Sequence, residues 1–217
     1  MKRPPRYIPN TREEIHNTIT HLIGAIAVVS MIWLPIVLAI PHGWRWMMGV
    51  LFMGIGTMLM YSFSTAYHWT HRGKAKRVMR IMDHIGIYIM IACSYTPICI
   101  AVIGGWLGWT VFGILWGIVV AGATYKIAAI GKYPRLSLML YLLMGWTALF
   151  IVKPVWDNLS LLPISLIVAE GITYTAGTYF FAYDSKRYYH AIWHLFVLLG
   201  TIFHWSAVIA ILVEISA

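Results

Sequence analysis

Long apolar runs alternate with short polar connections along the whole chain. Seven of the apolar runs are about 20 residues long, which is the length that a helix needs to cross roughly 30 Å of hydrocarbon. The runs are Leu22–Ile40, Trp46–Trp69, Ile85–Ile103, Trp106–Tyr125, Leu136–Val152, Leu161–Tyr183 and Ala191–Val213. The pattern therefore predicts an all-α fold, an integral membrane bundle of seven transmembrane helices.

The third and fourth runs are separated only by Gly104 and Gly105, so a re-entrant hairpin in their place is the alternative. Each of the two runs is nevertheless long enough to cross the membrane alone. The apolar runs leave no stretch long enough for a soluble domain. We therefore expect one domain, residues 1–217, in which residues 1–21 form a polar N-terminal segment ahead of the first run.

Composition agrees with a membrane protein. The chain is 60% hydrophobic and 11% charged, whereas a soluble domain carries about 25% charged residues. A soluble domain of 217 residues is excluded on this ground. In a membrane protein, basic residues mark the face of the bilayer on which their loops lie. The net charge of +9 is therefore not a sign of nucleic-acid binding, and we expect no nucleic-acid partner.

The basic residues are distributed unevenly between the two membrane faces. The connections on one face hold Lys2, Arg3, Arg6 and Arg12, then Arg72, Lys74, Lys76, Arg77 and Arg80, then Lys126, Lys132 and Arg135, and finally Lys186 and Arg187. The other face holds Arg45 and Lys153. Basic loops stay in the cytoplasm, so this pattern predicts a cytoplasmic N-terminus, an outside C-terminus and a cytoplasmic segment 1–21. The expected location is the cell (plasma or inner) membrane.

Polar side chains collect at the cytoplasmic ends of four predicted helices. They are Glu14, Asn17 and His21 at the first, Ser64 and His68 at the second, Asp83 and His84 at the third, and His190 and His194 at the seventh. Ionisable groups at membrane depth are costly and commonly functional. Their shared depth indicates a single site.

His190 and His194 are four residues apart, so they lie on one helical face about 6 Å apart. This spacing suits two ligands of a tetrahedral zinc ion, and a catalytic zinc takes three protein ligands. His68 lies at the depth needed for the third. Without a metal, the histidines would be interfacial or hydrogen-bonding residues. Asp83 would then be a helix N-cap, and Glu14 would be solvated or paired with Arg12.

Three motifs together carry a resemblance to a known family. EIHNTITH from Glu14 to His21 matches E-x2-N-x3-H, STAYH with the later DHIG matches S-x3-H…D-x2-G, and HAIWH matches H-x3-H. In this order, with seven spans, they resemble the hemolysin III and progestin/adiponectin-receptor (PAQR) family, and the short N-terminus resembles its bacterial hemolysin III branch.

The resemblance implies a zinc site in which His68, His190 and His194 are the ligands. Asp83 would hold or activate water at the metal, and Ser64 would support the site. Glu14, Asn17 and His21 fall on the family's first motif, and we interpret them as a packing and hydrogen-bond layer beneath the metal. His71 is a competing ligand outside the pattern.

Three functions remain open at this stage. The first is a zinc-dependent hydrolase of lipid amides or esters, because related receptors resemble ceramide-type amidases and the substrate would be a membrane lipid. The second is a non-catalytic regulator or receptor with structural zinc, which a fourth protein ligand, Asp83 or His71, would favour. The third is a cytolytic, pore-forming protein, as the family name suggests. The oligomeric state is open as well.

Two ionisable residues lie outside these motifs. Glu170 is the one acidic residue deep within a run, where it either lines a cavity or hydrogen-bonds a neighbour such as Tyr174. His204 follows His194 by ten residues, about 15 Å along a helix, which is too far to share the metal.

Overall fold

The structure is a computed structural model that describes residues 11–130, 132 and 134–217. The described chain is helical almost throughout. Its α-helices are α1 (Thr11–Met31), α2 (Trp33–Ala39), α3 (Trp44–Trp69), α4 (Gly73–Pro97), α5 (Gly105–Ala129), α6 (Pro134–Gly145), α7 (Val152–Asn158), α8 (Leu161–Ala182) and α9 (Tyr189–Ser216). Short 3₁₀ segments follow α2 and join α6 to α7, and a π-helical segment, Ile98–Ile103, extends α4.

Seven helical segments of the described chain are long and apolar enough to cross a membrane. They are Thr11–His42, Trp44–Trp69, Gly73–Ile103, Gly105–Ala129, Leu136–Asn158, Leu161–Ala182 and Tyr189–Ser216. The predicted all-α bundle of seven transmembrane helices is confirmed. The first, third and fifth crossings each combine an α-helix with a 3₁₀ or π-helical continuation.

The predicted third and fourth runs form two separate crossings, of 31 and 25 residues. The chain reverses between them at Gly104 and Gly105, whose φ angles are 60° and 53°. Glycine adopts positive φ without the clash that a Cβ atom would cause. This pair of glycines therefore permits a tight turn where a re-entrant hairpin was the alternative.

Helix α1 begins at Thr11, eleven residues before the first predicted apolar run. Residues 1–10 of the predicted N-terminal segment, including Lys2, Arg3 and Arg6, lie outside the described residues. The buried positions of α1 follow helical spacing, namely Glu13, Asn17, Thr18, His21, Gly24, Ala25 and Val28. Polar side chains on this buried stripe lower the local hydropathy, which is why the apolar run begins later than the helix.

Small residues allow the central helices to approach closely. A Cβ atom at Gly56 of α3 would lie 2.4 Å from the Cβ of Cys93 in α4. A Cβ atom at Gly177 of α8 would lie 2.6 Å from the Cβ of Phe196 in α9. Such contacts are typical of membrane helices, which associate by close van der Waals packing.

One end of the bundle holds most of the described basic side chains, and we call it the basic end. Helices α1, α4 and α9 begin there, and α3, α5 and α8 end there. The basic residues described at this end are Arg12, Arg72, Lys74, Lys76, Arg77, Arg80, Lys126, Lys132, Lys186 and Arg187. The ion pair between Lys76 Nζ and Glu14 Oε1, 2.9 Å long, joins α4 to α1 at this level.

Candidate metal centre

Three histidines converge inside the basic end. His68 lies in the last turn of α3, and His190 and His194 lie in the first two turns of α9. One ring nitrogen from each histidine lies within 4.8 Å of the other two. His68 and His194 are buried and His190 is half-buried. The structure thus brings together the three residues that the sequence motifs indicated as metal ligands.

The orientation of His68 is set by a carboxylate on α1. Its Nδ1 lies 2.6 Å from Oε2 of Glu14. An ionised carboxylate only accepts hydrogen bonds, so Nδ1–H donates and the lone pair is left on Nε2. Nε2 of His68 is buried and has no hydrogen-bond partner in the described chain. Metal-ligating histidines commonly show this arrangement.

His194 is oriented in the same way by a backbone carbonyl. Its Nδ1 lies 3.1 Å from the carbonyl oxygen of Asn17, which can only accept, and 3.0 Å from the hydroxyl of Thr20. Nδ1–H therefore donates, and Nε2 is again the nitrogen with the free lone pair. His190 has a weaker contact, with Nδ1 4.0 Å from Oδ2 of Asp184.

This chemistry fits a zinc ion. Three imidazole nitrogens are a ligand set that zinc favours, and the unpartnered Nε2 of His68 leaves a lone pair that a metal could accept. His71 does not join the set, because it is exposed and its Nδ1 contacts the carbonyl oxygen of Trp69 at 2.8 Å. Within the described ranges, the His/Cys/Asp/Glu group that could hold a metal ion has three members.

Glu14 is itself held firmly in place. Lys76 donates to its Oε1 at 2.9 Å and to the carbonyl oxygen of Tyr67 at 2.8 Å. The sequence motif placed Glu14 in a hydrogen-bond layer but gave no link to His68, and neither Lys76 nor Thr20 is a motif position. The signal for the layer was the E-x2-N-x3-H motif, which contains Glu14, Asn17 and His21.

Asp83 and Ser64 lie at the same end of the bundle as the three histidines. Asp83 Oδ2 is 3.3 Å from Nδ1 of the neighbouring His84, and the Asp83 carboxylate interacts electrostatically with His68 and His190. Ser64 is buried one turn before His68, and its Oγ has no hydrogen-bond partner among the described residues. The carboxylate that orients a histidine here is therefore Glu14, and Asp83 is left for a different role.

His21 adds a second layer of imidazole. Its ring stacks on His194 with centroids 3.5 Å apart and an interplanar angle of 11°, and it meets the ring of Tyr61 edge-on at 5.1 Å. It is buried, as is Asn17 beside it. This packing holds the ring plane of His194, while both ring nitrogens of His21 are without a hydrogen-bond partner in the described chain.

A narrow opening reaches His190 from the basic end. The cavity measures about 10 Å³, close to the size of one water molecule, and its lining includes Glu13, Asp184 and Tyr188. Tyr188 has φ of 63°, and its backbone N–H donates to Oε1 of Glu13 at 2.8 Å. The connection that leads into α9 is thus fastened to α1 next to the site.

These features define a class, a seven-helix multi-pass membrane protein with a three-histidine cluster at one end of the bundle. The profile of the family described as "Haemolysin-III related" matches residues 10–205. The chain belongs to this family, and the family predicted from the motifs is confirmed. It is a multi-pass protein of the cell membrane.

Two bacterial relatives are more similar to this chain than a human relative is. The chain is 38% identical over 191 residues to "Hemolysin-3" of Bacillus cereus, covering 88% of this chain and 87% of the relative. It is 36% identical over 191 residues to "Hemolysin-3 homolog" of Bacillus subtilis, covering 88% and 90%. It is 27% identical over 169 residues to human "Monocyte to macrophage differentiation factor", covering 71% and 66%. No solved structure matches significantly.

Proposed function

We propose that the chain binds zinc through His68, His190 and His194 and hydrolyses the amide or ester bond of a membrane lipid there. The observation that supports this most is the grouping of three histidine nitrogens within 4.8 Å, with Nδ1 of His68 hydrogen-bonded to Glu14. A set of three protein ligands is typical of catalytic rather than structural zinc. A bound zinc would supply Lewis acidity toward a carbonyl and toward water.

The side chains around the histidines fit separate tasks in such a reaction. Glu14 holds His68 in one orientation and keeps its Nε2 available. Asp83 is a buried carboxylate at the same end of the bundle, and we assign it the transfer of a proton from water to the leaving group. We assign to Ser64, whose buried Oγ has no hydrogen-bond partner among the described residues, the donation of a hydrogen bond within the site.

A groove between α1 and α3 supports a lipid substrate. It has a volume of about 700 Å³ and an almost entirely apolar lining. Thr18 and Thr65 line it next to the site residues Asn17 and Ser64, and Val29 lines it further along α1. An acyl chain in this groove would lie parallel to the helices with its polar end at the depth of the histidines. With the basic end in the cytoplasm, the substrate would come from the inner leaflet.

Metal analysis and lipid turnover test the proposal together. Purified wild-type protein should contain one zinc per chain, and His68→Ala, His190→Ala and His194→Ala should each lose it. His71→Ala removes an exposed histidine at the same end and serves as the matched control. Asp83→Asn should keep the zinc and lose turnover of a lipid amide or ester. Metal-free wild-type protein contradicts the zinc site, and full turnover by Asp83→Asn contradicts the mechanism.

The non-catalytic alternative predicts a different result in the same assays. A protein that uses zinc only to join α3 to α9 would lose both zinc and thermal stability in the histidine variants. It would show no turnover of any lipid amide or ester in the wild type.

A cytolytic activity is the second candidate, because the chain is 38% identical to a protein named hemolysin. We would reconstitute the purified protein into liposomes and measure the release of trapped dyes of increasing size. Size-limited release would support a pore. Intact liposomes at high protein content would exclude one.

A further inference from the structure

A carboxylate and an imidazole are paired far from the three histidines. Oε2 of Glu170 in α8 lies 2.9 Å from Nδ1 of His204 in α9. Glu170 is the tenth residue of the 22-residue helix α8, about 14 Å from its start, so the pair lies near the middle of the bilayer. Ionisable side chains at this depth usually mark a function.

Close packing also joins α8 to α9. Gly177 packs on Phe196, and Gly200 packs on Tyr174, where an added Cβ atom would lie 2.5 Å from the ring. Both contacts lie on the basic-end side of Glu170 and His204. Apolar residues at these two positions would pack at least as well as a buried ionisable pair, so helix packing alone does not account for the pair.

One atom of the pair, Nε2 of His204, has no hydrogen-bond partner among the described residues. The carboxylate of Glu170 can only accept, so Nδ1–H of His204 donates, and the Nε2 of the neutral imidazole becomes an acceptor. This Nε2 is buried and has no hydrogen-bond partner among the described residues, in a side chain that is 8% exposed. Buried polar atoms are rarely left in this state. For a neutral imidazole, the partner that would satisfy Nε2 is a hydrogen-bond donor.

Neighbouring donors are already engaged elsewhere. The hydroxyl of Tyr61 donates to Thr201 Oγ1 at 2.8 Å, and the hydroxyl of Tyr174 lies 3.3 Å from the same oxygen. Nε1 of Trp205 donates to Thr57 Oγ1 at 3.4 Å. These bonds make a polar environment around His204 but leave its Nε2 available.

The pair can be reached from the hydrocarbon side of α8. The side chain of Glu170 is 15% exposed, and the adjacent Gly171 is exposed. Nothing lies within 4 Å of the Cβ position of Gly171. In a membrane this surface faces acyl chains, so a ligand that arrives here must be soluble in hydrocarbon.

We propose that Glu170 and His204 bind the hydrogen-bond-donating head of a lipophilic molecule, the hydroxyl or amino group of a single-chain lipid. Both protein groups offer acceptors, and a hydroxyl or an ammonium group supplies the donor. A fatty-acid carboxylate does not fit, because it would meet the like charge of Glu170. This site is separate from the three histidines and does not depend on the proposed hydrolysis.

Photolabelling of the purified wild-type protein tests the site directly. The probe is a long-chain alcohol that carries a diazirine, and the labelled peptides are mapped by mass spectrometry. We expect labelling concentrated beside Glu170 and His204, and competition by dodecanol or dodecylamine but not by lauric acid or dodecane. Stronger competition by the alcohol identifies a hydroxyl ligand, and stronger competition by the amine identifies an ammonium ligand. Labelling spread evenly over the lipid-facing helices overturns the proposal.

Variants separate binding from folding. Glu170→Gln and His204→Gln should weaken competition by about tenfold, as expected when one hydrogen-bonding group is lost. A single substitution leaves the other ionisable group buried without its partner, which can prevent folding. The double variant Glu170→Leu/His204→Phe removes both groups and is therefore expected to fold. Glu214→Gln, on the exposed end of α9, is the matched control. Unchanged labelling in a folded double variant contradicts the site.

Discussion

The carboxylate of Glu14 should determine how tightly the three histidines bind zinc. In Glu14→Gln the side chain keeps its shape and loses its charge, so the 2.6 Å charge-assisted bond to Nδ1 of His68 becomes an ordinary one. Loss of such an outer partner commonly lowers metal affinity 10- to 100-fold, about 1.4–2.8 kcal/mol. The glutamine oxygen can still accept from Nδ1–H, so we expect about tenfold for Glu14→Gln and closer to 100-fold for Glu14→Ala.

Zinc affinity is measured by competition with a chelating dye at one pH. Asp157→Asn, an acidic residue near the opposite end of the bundle, is the control and should match the wild type. The effect must also depend on His68. If both residues act as one unit, adding Glu14→Gln to His68→Ala should change the residual affinity very little. An affinity of Glu14→Gln within twofold of the wild type refutes the reasoning, and so does an equal loss in both backgrounds.

Three further predictions concern packing and topology. Gly56→Leu should destabilise the bundle by about 1–3 kcal/mol, because any side chain there meets Cys93. Gly113→Leu is the control and should cost less, because the space around Gly113 is open. Thermal unfolding in detergent compares the two variants. Gly105→Ala should lower the stability by about 1–2 kcal/mol in the same assay, because alanine is strained at a φ of 53°. No neighbour lies near the added Cβ atom, so backbone strain is the cause that is tested, and an unchanged unfolding midpoint would contradict it. Reporter fusions should place the N-terminus in the cytoplasm and the C-terminus outside, and the reverse result would invalidate the charge argument.

The seven crossings could be predicted from the sequence because each depends on a local property. A run of about 20 apolar residues crosses the bilayer whatever its neighbours are. The H-x3-H spacing is equally local, since residues four apart share a helical face. The apolar run begins only at Leu22, although α1 begins at Thr11, because Glu13, Asn17 and His21 are polar and buried, and hydropathy does not distinguish a buried polar residue from an exposed one.

Pairing between distant residues required the tertiary structure. Nothing near Glu14 in the sequence indicates that its two oxygens contact His68 and Lys76, 54 and 62 residues away. From the sequence we expected Asp83 to hold or activate water at the metal; its carboxylate lies beside the adjacent His84, and the carboxylate that orients His68 belongs to Glu14. For Glu170 the sequence left a cavity and a neighbour such as Tyr174 open, and the partner is His204.

The sequence by itself therefore determined the membrane class, the number of crossings, the family and the residue types that can bind a metal. Only the tertiary structure decided which nitrogen of His68 and His194 is left for that metal, and which intramembrane acid faces which histidine. The physical reason is that helix formation and membrane insertion depend on short stretches of chain. The direction of a hydrogen bond depends on atoms that packing brings together from separate helices.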